Sequence, residues 1–300
     1  MRFSQILSAL PPFVAACALT SGLAFAQTNS MSDSMRSDSM MSASHGTMMR
    51  ADGTMMMSDG MMSASHNMMM ASGSCKSAMA AMHDRMMAGA VTHCFKVRID
   101  NISAADEFTA SNGTKWSLPF SPGVFAVSSK GNPIFATGAR DRKQGLRSLS
   151  EDGDPFALAT YVEHAYPGSG AFLVPVGGTK PKGILPGESF EFYADAQPGQ
   201  QLYLVAMNGQ SNDWFYGTPF GIKLFDASGK PLGGDVTSNV KLYDAGTEAD
   251  QELGIGSTQG PRQPHPRYGP DDPNPIVRLA TSDARFIDVT KVMRVTVTPQ

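Results

Sequence analysis

The sequence predicts an all-β protein: an antiparallel β-sandwich of about eight strands with long loops, preceded by a disordered methionine-rich tail. Three observations predict it. From Cys94 onward, short runs of alternating apolar and polar residues recur. Clusters of Gly, Pro, Asn and Asp separate these runs, the punctuation expected of strands joined by turns. Before residue 92 the chain has a different composition, one that builds no core.

The first element is a targeting segment. Residues 1–26, MRFSQILSALPPFVAACALTSGLAFA, carry an early basic residue, an apolar run and a small-x-small ending at Ala24 and Ala26. This is the anatomy of a secretory signal cleaved before Gln27, so the chain is expected to be exported, periplasmic or secreted. VAAC, Val14 to Cys17, is also the context of a lipid-modified cysteine, which leaves lipoprotein anchoring at Cys17 as the alternative. No later segment reaches the eighteen or so apolar residues of a membrane span, so no transmembrane segment is expected in the mature chain.

Residues 27–91 form the second element. They are almost only Met, Ser, Ala, Gly and Asp, with eighteen methionines between Met31 and Met87 and no aromatic residue. Such a segment buries too little rigid apolar surface to offset its ordering entropy, so a disordered low-complexity tail is expected. It repeats internally: MMSASH stands at Met40 to His45 and again at Met61 to His66. Each tail histidine also has the same surround, MxxxHxxMM. His45 has Met41, Met48 and Met49; His66 has Met62, Met69 and Met70; His83 has Met79, Met86 and Met87. On a helix, positions three and four apart share a face, so each unit would gather one imidazole with two or three thioethers. That soft, uncharged set suits Cu(I) or Ag(I) and suits Ca2+ poorly. The segment looks like the Met- and His-rich stretches of periplasmic copper- and silver-handling proteins in composition and spacing. A spacer, or an oxidant sink through sulfoxide formation, is the competing reading.

After cleavage at Gln27 two cysteines remain, Cys75 and Cys94. In an oxidising compartment such a pair is expected to form a disulfide, pinning the end of the tail to the first strand. With His93 beside Cys94, soft-metal ligation is the alternative use.

Residues 92–300 are expected to be the folded domain. FKVRIDNI sets Phe95, Val97 and Ile99 against Lys96, Arg98 and Asp100, a half-buried strand. Further strands are read at GVFAVS (near 123), AFLVPV (near 171), SFEFYAD (near 189) and QLYLVAM (near 201). FGIKLFD (near 220), NVKLYD (near 239), IVRLA (near 276) and VMRVTVTP (near 292) complete the set. QLYLVAM is apolar on both faces, which predicts a central strand. One weak helix is read at ALATYVEHA, residues 157–165. From residue 92 onward there are 19 basic and 22 acidic side chains with no basic run, so no nucleic-acid partner is expected.

The densest motifs of this domain are SNDWFYG (211–217), LFD (224–226) and YDAGTE (243–248). Together with SPGVFAV (121–127), Gly138–Ala139 and LSEDGD (149–154), in that order, they make the chain from Phe95 to Pro299 resemble the spondin N-terminal domain. The resemblance implies a C2-like β-sandwich and, as in the animal members, a Ca2+ ion held by acidic side chains from loops at one end. Carried over by position, those residues are Asp213, Asp244 and Glu248, with glutamate at 248 where some members have aspartate. It also implies extracellular or surface recognition and adhesion, with a partner it does not identify.

The residues themselves are compatible with this. Ca2+ takes six to eight oxygens, and YDAGTE sets two carboxylates four residues apart around Gly246, with Asp213 arriving from another loop. The competing reading is that these Asp and Gly residues only make turns, and EDGD (151–154) is read as a turn first. His164 and His265 have no partner nearby in sequence. GQSND (209–213) ends in Asp213 where a nucleophile elbow needs glycine, and no HExxH, Walker or dinucleotide motif occurs, so no enzyme is expected. Two functions follow: Ca2+-dependent surface recognition by the sandwich, or Cu(I)/Ag(I) capture by the tail.

Overall fold

The computed structural model describes residues 48–50, 52–56, 75, 91–282 and 285–300. These lie in one compact unit, Ser44–Gln300; the other unit, Met1–Ala43, contains none of them. The expected signal segment with Cys17 lies outside the described residues. So do Met41, His45, Met62, His66, Met69, Met70, Met79, His83, Met86 and Met87.

Fifteen strands are described. A hairpin, β1 (Met48–Met49) and β2 (Met55–Met56), comes first, then β3 (His93–Asn101) and a short pair, β4 (Phe108–Thr109) and β5 (Lys115–Trp116). Next are β6 (Phe120–Ser128), β7 (Gly170–Phe172), β8 (Ser189–Ala196), β9 (Gln201–Asn208) and β10 (Trp214–Gly217). The chain ends with β11 (Ile222–Lys223), β12 (Gly234–Asp235), β13 (Lys241–Asp244), β14 (Arg278–Leu279) and β15 (Met293–Pro299). The helices are α1 (Leu146–Asp152), α2 (Phe156–Ala165) and the single turn α3 (Val289–Val292).

The larger sheet has the order β14-β13-β10-β9-β6-β7, with β11 also paired to β9; the smaller has the order β12-β15-β3-β8. Pairing is antiparallel throughout both. The fold is therefore the predicted antiparallel β-sandwich. More strands appear than sequence reading counted because two-residue pieces such as β4, β5 and β12 have no period to read.

The smaller sheet shows why its strands form. In β3 and β8 alternate residues are buried, placing Phe95, Val97 and Ile99 with Phe190, Phe192 and Ala194 on one face. Lys96, Arg98 and Glu191 meet on the other, at 3.6 and 3.8 Å, contacts of small energetic weight at a wet surface. Across the sandwich Phe192 stacks on Phe125 and Phe172, with centroids 4.4 and 5.1 Å apart. Each such pair adds about 0.5–1.5 kcal/mol beyond its buried area.

The larger sheet is buried on both faces, as the apolar run of β9 predicted. Leu202, Leu204, Trp214 and Tyr216 face the sandwich interior, while Tyr203, Val205, Met207 and Phe215 face a second core. That second core is roofed by Leu146 and Leu149 of α1 and Leu158, Ala159 and Val162 of α2.

The LSEDGD turn proves to be the end of α1. Gly153 adopts φ +72° and donates to Leu149 O, and Asp154 N donates to Ser148 O, a left-handed helix cap that glycine makes accessible. Sequence reading missed this helix because its seven residues are too few to show a 3.6-residue period.

Part of the segment read as a disordered tail is an ordered hairpin. Asp52 Oδ1 accepts from the backbone N–H and hydroxyl of Thr54 at 2.9 and 2.6 Å, and Gly53 takes φ +78°, making an Asp-Gly turn. Gly183 N donates to Gly53 O at 2.7 Å, which ties the turn to the domain. Met49 is fully buried in a slot walled by glycines: a methyl at Gly183 would lie 2.6 Å from its Sδ, and one at Gly153 would lie 3.1 Å from its Cβ. Met48 and Met49 therefore sit on a strand, not on the helix assumed for soft-metal ligation, and Met49 is a packing residue. The boundary expected at residue 92 falls inside the compact unit.

Cys75 and Cys94 are joined as a disulfide, with Cα atoms 5.7 Å apart, which fastens Cys75 to β3. Among the described residues no helix is long and apolar enough to cross a membrane.

Candidate metal centre

The loop SND enters β10 through a tight turn. Ser211 Oγ donates to Asn208 O at 2.7 Å and accepts from Trp214 N at 3.0 Å, fixing Asp213 between them. The strand that follows is anchored on both faces, with Trp214 in the sandwich core and Phe215 in the helix-side core. Because Trp214 pairs with Asp244, the start of β10 and the end of β13 bring Asp213 beside Asp244. Register, not sequence proximity, assembles the site.

Asp213 is fully buried. Its Oδ2 accepts from Thr247 N at 2.6 Å, Thr247 Oγ1 at 3.0 Å and Glu248 N at 3.0 Å, while Oδ1 is buried without a hydrogen-bond donor among the described residues. Asp244 Oδ1 accepts from Gly246 N at 2.7 Å, and its Oδ2 pairs with Arg278, which lies 2.6 Å from Asp272. Asp250 pairs with Arg285 at 2.9 Å, and that guanidinium lies 5.2 Å from the centre of the Trp214 ring. Asp213, Asp244 and Asp250 each offer one oxygen, all within 4.8 Å of one another.

This arrangement is short of positive charge. Asp213, Asp244, Asp250 and Asp272 face Arg278 and Arg285, so four carboxylates against two guanidiniums leave a formal charge of −2. Burial raises the pKa of Asp213 well above the usual range, with the Asp244 charge adding to it. Asp244 is pushed up to about 7, first by burial and then by Asp250. A divalent cation with a preference for oxygen would neutralise the cluster and give Asp213 Oδ1 the partner it lacks.

Of the three acidic residues expected from sequence, Asp213 and Asp244 fall within the group whose oxygens lie within 4.8 Å of one another, and Glu248 does not. Glu248 reaches Asp213 through its backbone N–H, while its carboxylate accepts from Asn212 Nδ2 at 2.8 Å and lies against Gly269. Burial, followed by attraction to neighbouring donors and repulsion from Glu151, leaves its pKa at about 7. The third carboxylate of the cluster is Asp250, which sequence reading missed. After the turn at Asp244–Gly246, consecutive amides of Thr247 and Glu248 both point at Asp213, so the side chain two residues further on returns to the site. The six-residue spacing from Asp244 to Asp250 carries no recognisable signal of its own.

A buried acidic residue, Glu151, lies near Glu248. Arg147 lies 2.8 Å from Glu151 but off the hydrogen-bonding direction, so the fully buried Glu151 gains attraction without a donor from it. Burial outweighs that attraction and pushes its pKa up to about 7. His265 contacts Tyr268 in an exposed loop, and His164 ends α2; neither joins the acidic cluster. No protein-family model matches the chain, and no curated protein matches it either.

Proposed function

We propose that this chain is an exported, non-catalytic recognition protein of the spondin N-terminal type, whose β-sandwich is braced at one end by a bound Ca2+ ion. The acidic ligands are Asp213, Asp244 and Asp250, with backbone carbonyls and water completing a coordination shell of six to eight oxygens. The observation that carries the reading is Asp213: fully buried, with Oδ1 lacking a donor, beside two further carboxylates within 4.8 Å. An unpartnered buried carboxylate is expensive, and a cation is the partner that removes the penalty.

The ion's role here is structural. It would tie the loop before β10 to the loop after β13, holding the surface around them in one shape for a partner outside the cell. Ligand that binds only the folded state raises its stability. In millimolar Ca2+ the protein should melt about 3–6 °C higher than in chelator, a shift in line with a weak extracellular site. Asp213→Asn should abolish the difference. Identical melting of the wild-type protein in both conditions would remove the calcium assignment.

A further inference from the structure

A cavity of about 620 Å³ opens beside the acidic cluster, between the loop leading into α1, the Gly246–Thr247 turn and the loop 267–275. Its charges are not equivalent. Arg147 is matched by Glu151 and Asp271, at 2.8 and 2.9 Å, and Asp272 is matched by Arg278 at 2.6 Å. Arg140, Lys143 and Arg267 also line it, and among the described residues none of the three has its charged side-chain nitrogens within 4 Å of a carboxylate oxygen. Over the whole lining, the four cations Arg140, Lys143, Arg147 and Arg267 outnumber the three acids Asp141, Asp271 and Asp272 by one positive charge.

Backbone strain coincides with these cations. Three non-glycine residues in the described chain have positive φ, and two of them are Lys143, at +59°, and Arg267, at +55°. Long side chains seldom occupy this region, and where they do, the surroundings must hold them there. They do so here. Lys143 N donates to Asp141 Oδ2 at 3.1 Å, and Arg267 N donates to the buried Asp152 at 3.0 Å, which also accepts from Gln263 at 2.8 Å. Glycine would fit both positions more easily; a cation stands in each. The rest of the wall is hydroxylated or small, with Ser148, Thr247, Ala157 and Pro275, so it offers little to an apolar ligand.

We propose that this cavity binds a small hydroxylated oxyanion, a sugar acid or a sugar phosphate. Arg140, Lys143 and Arg267 take the carboxylate or phosphate, and Ser148, Thr247 and Asp141 exchange hydrogen bonds with hydroxyl groups. Guanidinium and ammonium donors suit both oxyanions, and the volume is that of a typical small-molecule site. The assignment does not depend on the calcium reading.

Isothermal titration of the full chain with glucuronate, glucose 6-phosphate and neutral glucose tests it, at fixed ionic strength and calcium concentration. Saturable binding of glucuronate or glucose 6-phosphate is expected, with no binding of glucose up to about 10 mM; whichever binds tighter identifies the oxyanion. Arg267→Gly and Lys143→Gly should each weaken that binding about tenfold, the weight of one charge-assisted contact. Neither should lower the melting temperature of the unliganded protein, because glycine relieves the positive φ. Absence of binding by both anionic sugars, equal binding of glucose, or unchanged affinity in either variant would overturn the proposal.

Discussion

At the scale of single residues, burial decides what each acidic group does. Glu151 is fully buried, and its pKa is raised from the usual carboxylate range to about 7. The folded state therefore holds a proton that the unfolded state releases above about pH 4.5, so the group's contribution to stability is present at low pH and falls as pH rises toward 7. Glu151→Gln should flatten the decline in stability across that window by up to about 1.4 kcal/mol per pH unit, measured by urea unfolding at a series of pH values. An unchanged slope would show that the carboxylate ionises normally. Gly246 is constrained by geometry rather than charge. It has φ +67°, and a methyl group there would lie 2.5 Å from Ile276 O. Gly246→Ala should cost about 2 kcal/mol or more in a denaturation experiment, through strain and a backbone clash together.

At the scale of elements, legibility follows length and period. β3, with Phe95, Val97 and Ile99 inward, was readable because nine residues show the alternation clearly. α2 was readable over ten residues, whereas the seven of α1 read as a loop because Gly153 and Asp154 at its cap are also turn residues. The hairpin β1–β2 carried its own signal in Asp52-Gly53, but the surrounding methionine-rich composition argued for disorder and won. In the candidate centre, Asp213 and Asp244 were legible through the motifs around them. Asp250 was not, because only the fold of the Gly246–Glu248 turn returns its side chain to Asp213. The hairpin gives a direct test. Met49→Ala removes the side chain that fills the slot beside Gly153 and Gly183, so trypsin should cut after the exposed Arg50 markedly faster than in the wild-type protein. Cleavage at the wild-type rate would mean that Met49 does not hold the hairpin down.

At the scale of the whole molecule, the larger sheet is the organising layer. It is packed against the smaller sheet on one face and against α1, α2 and Met49 on the other. Its central strands have no freedom to shift register without exposing a core, so the position of Asp213 relative to Asp244 is set as firmly as the fold. The acidic cluster and the cavity meet at the Gly246–Thr247 turn and Asp272.

Calorimetric titration of Ca2+ into the wild-type protein and into Asp250→Asn and Glu248→Gln separates the two candidate ligand sets. One Ca2+ per chain should bind to the wild-type protein and to Glu248→Gln, with binding lost in Asp250→Asn. Loss of binding in Glu248→Gln with retention in Asp250→Asn, or no binding to the wild-type protein, would contradict the proposed Ca2+ site.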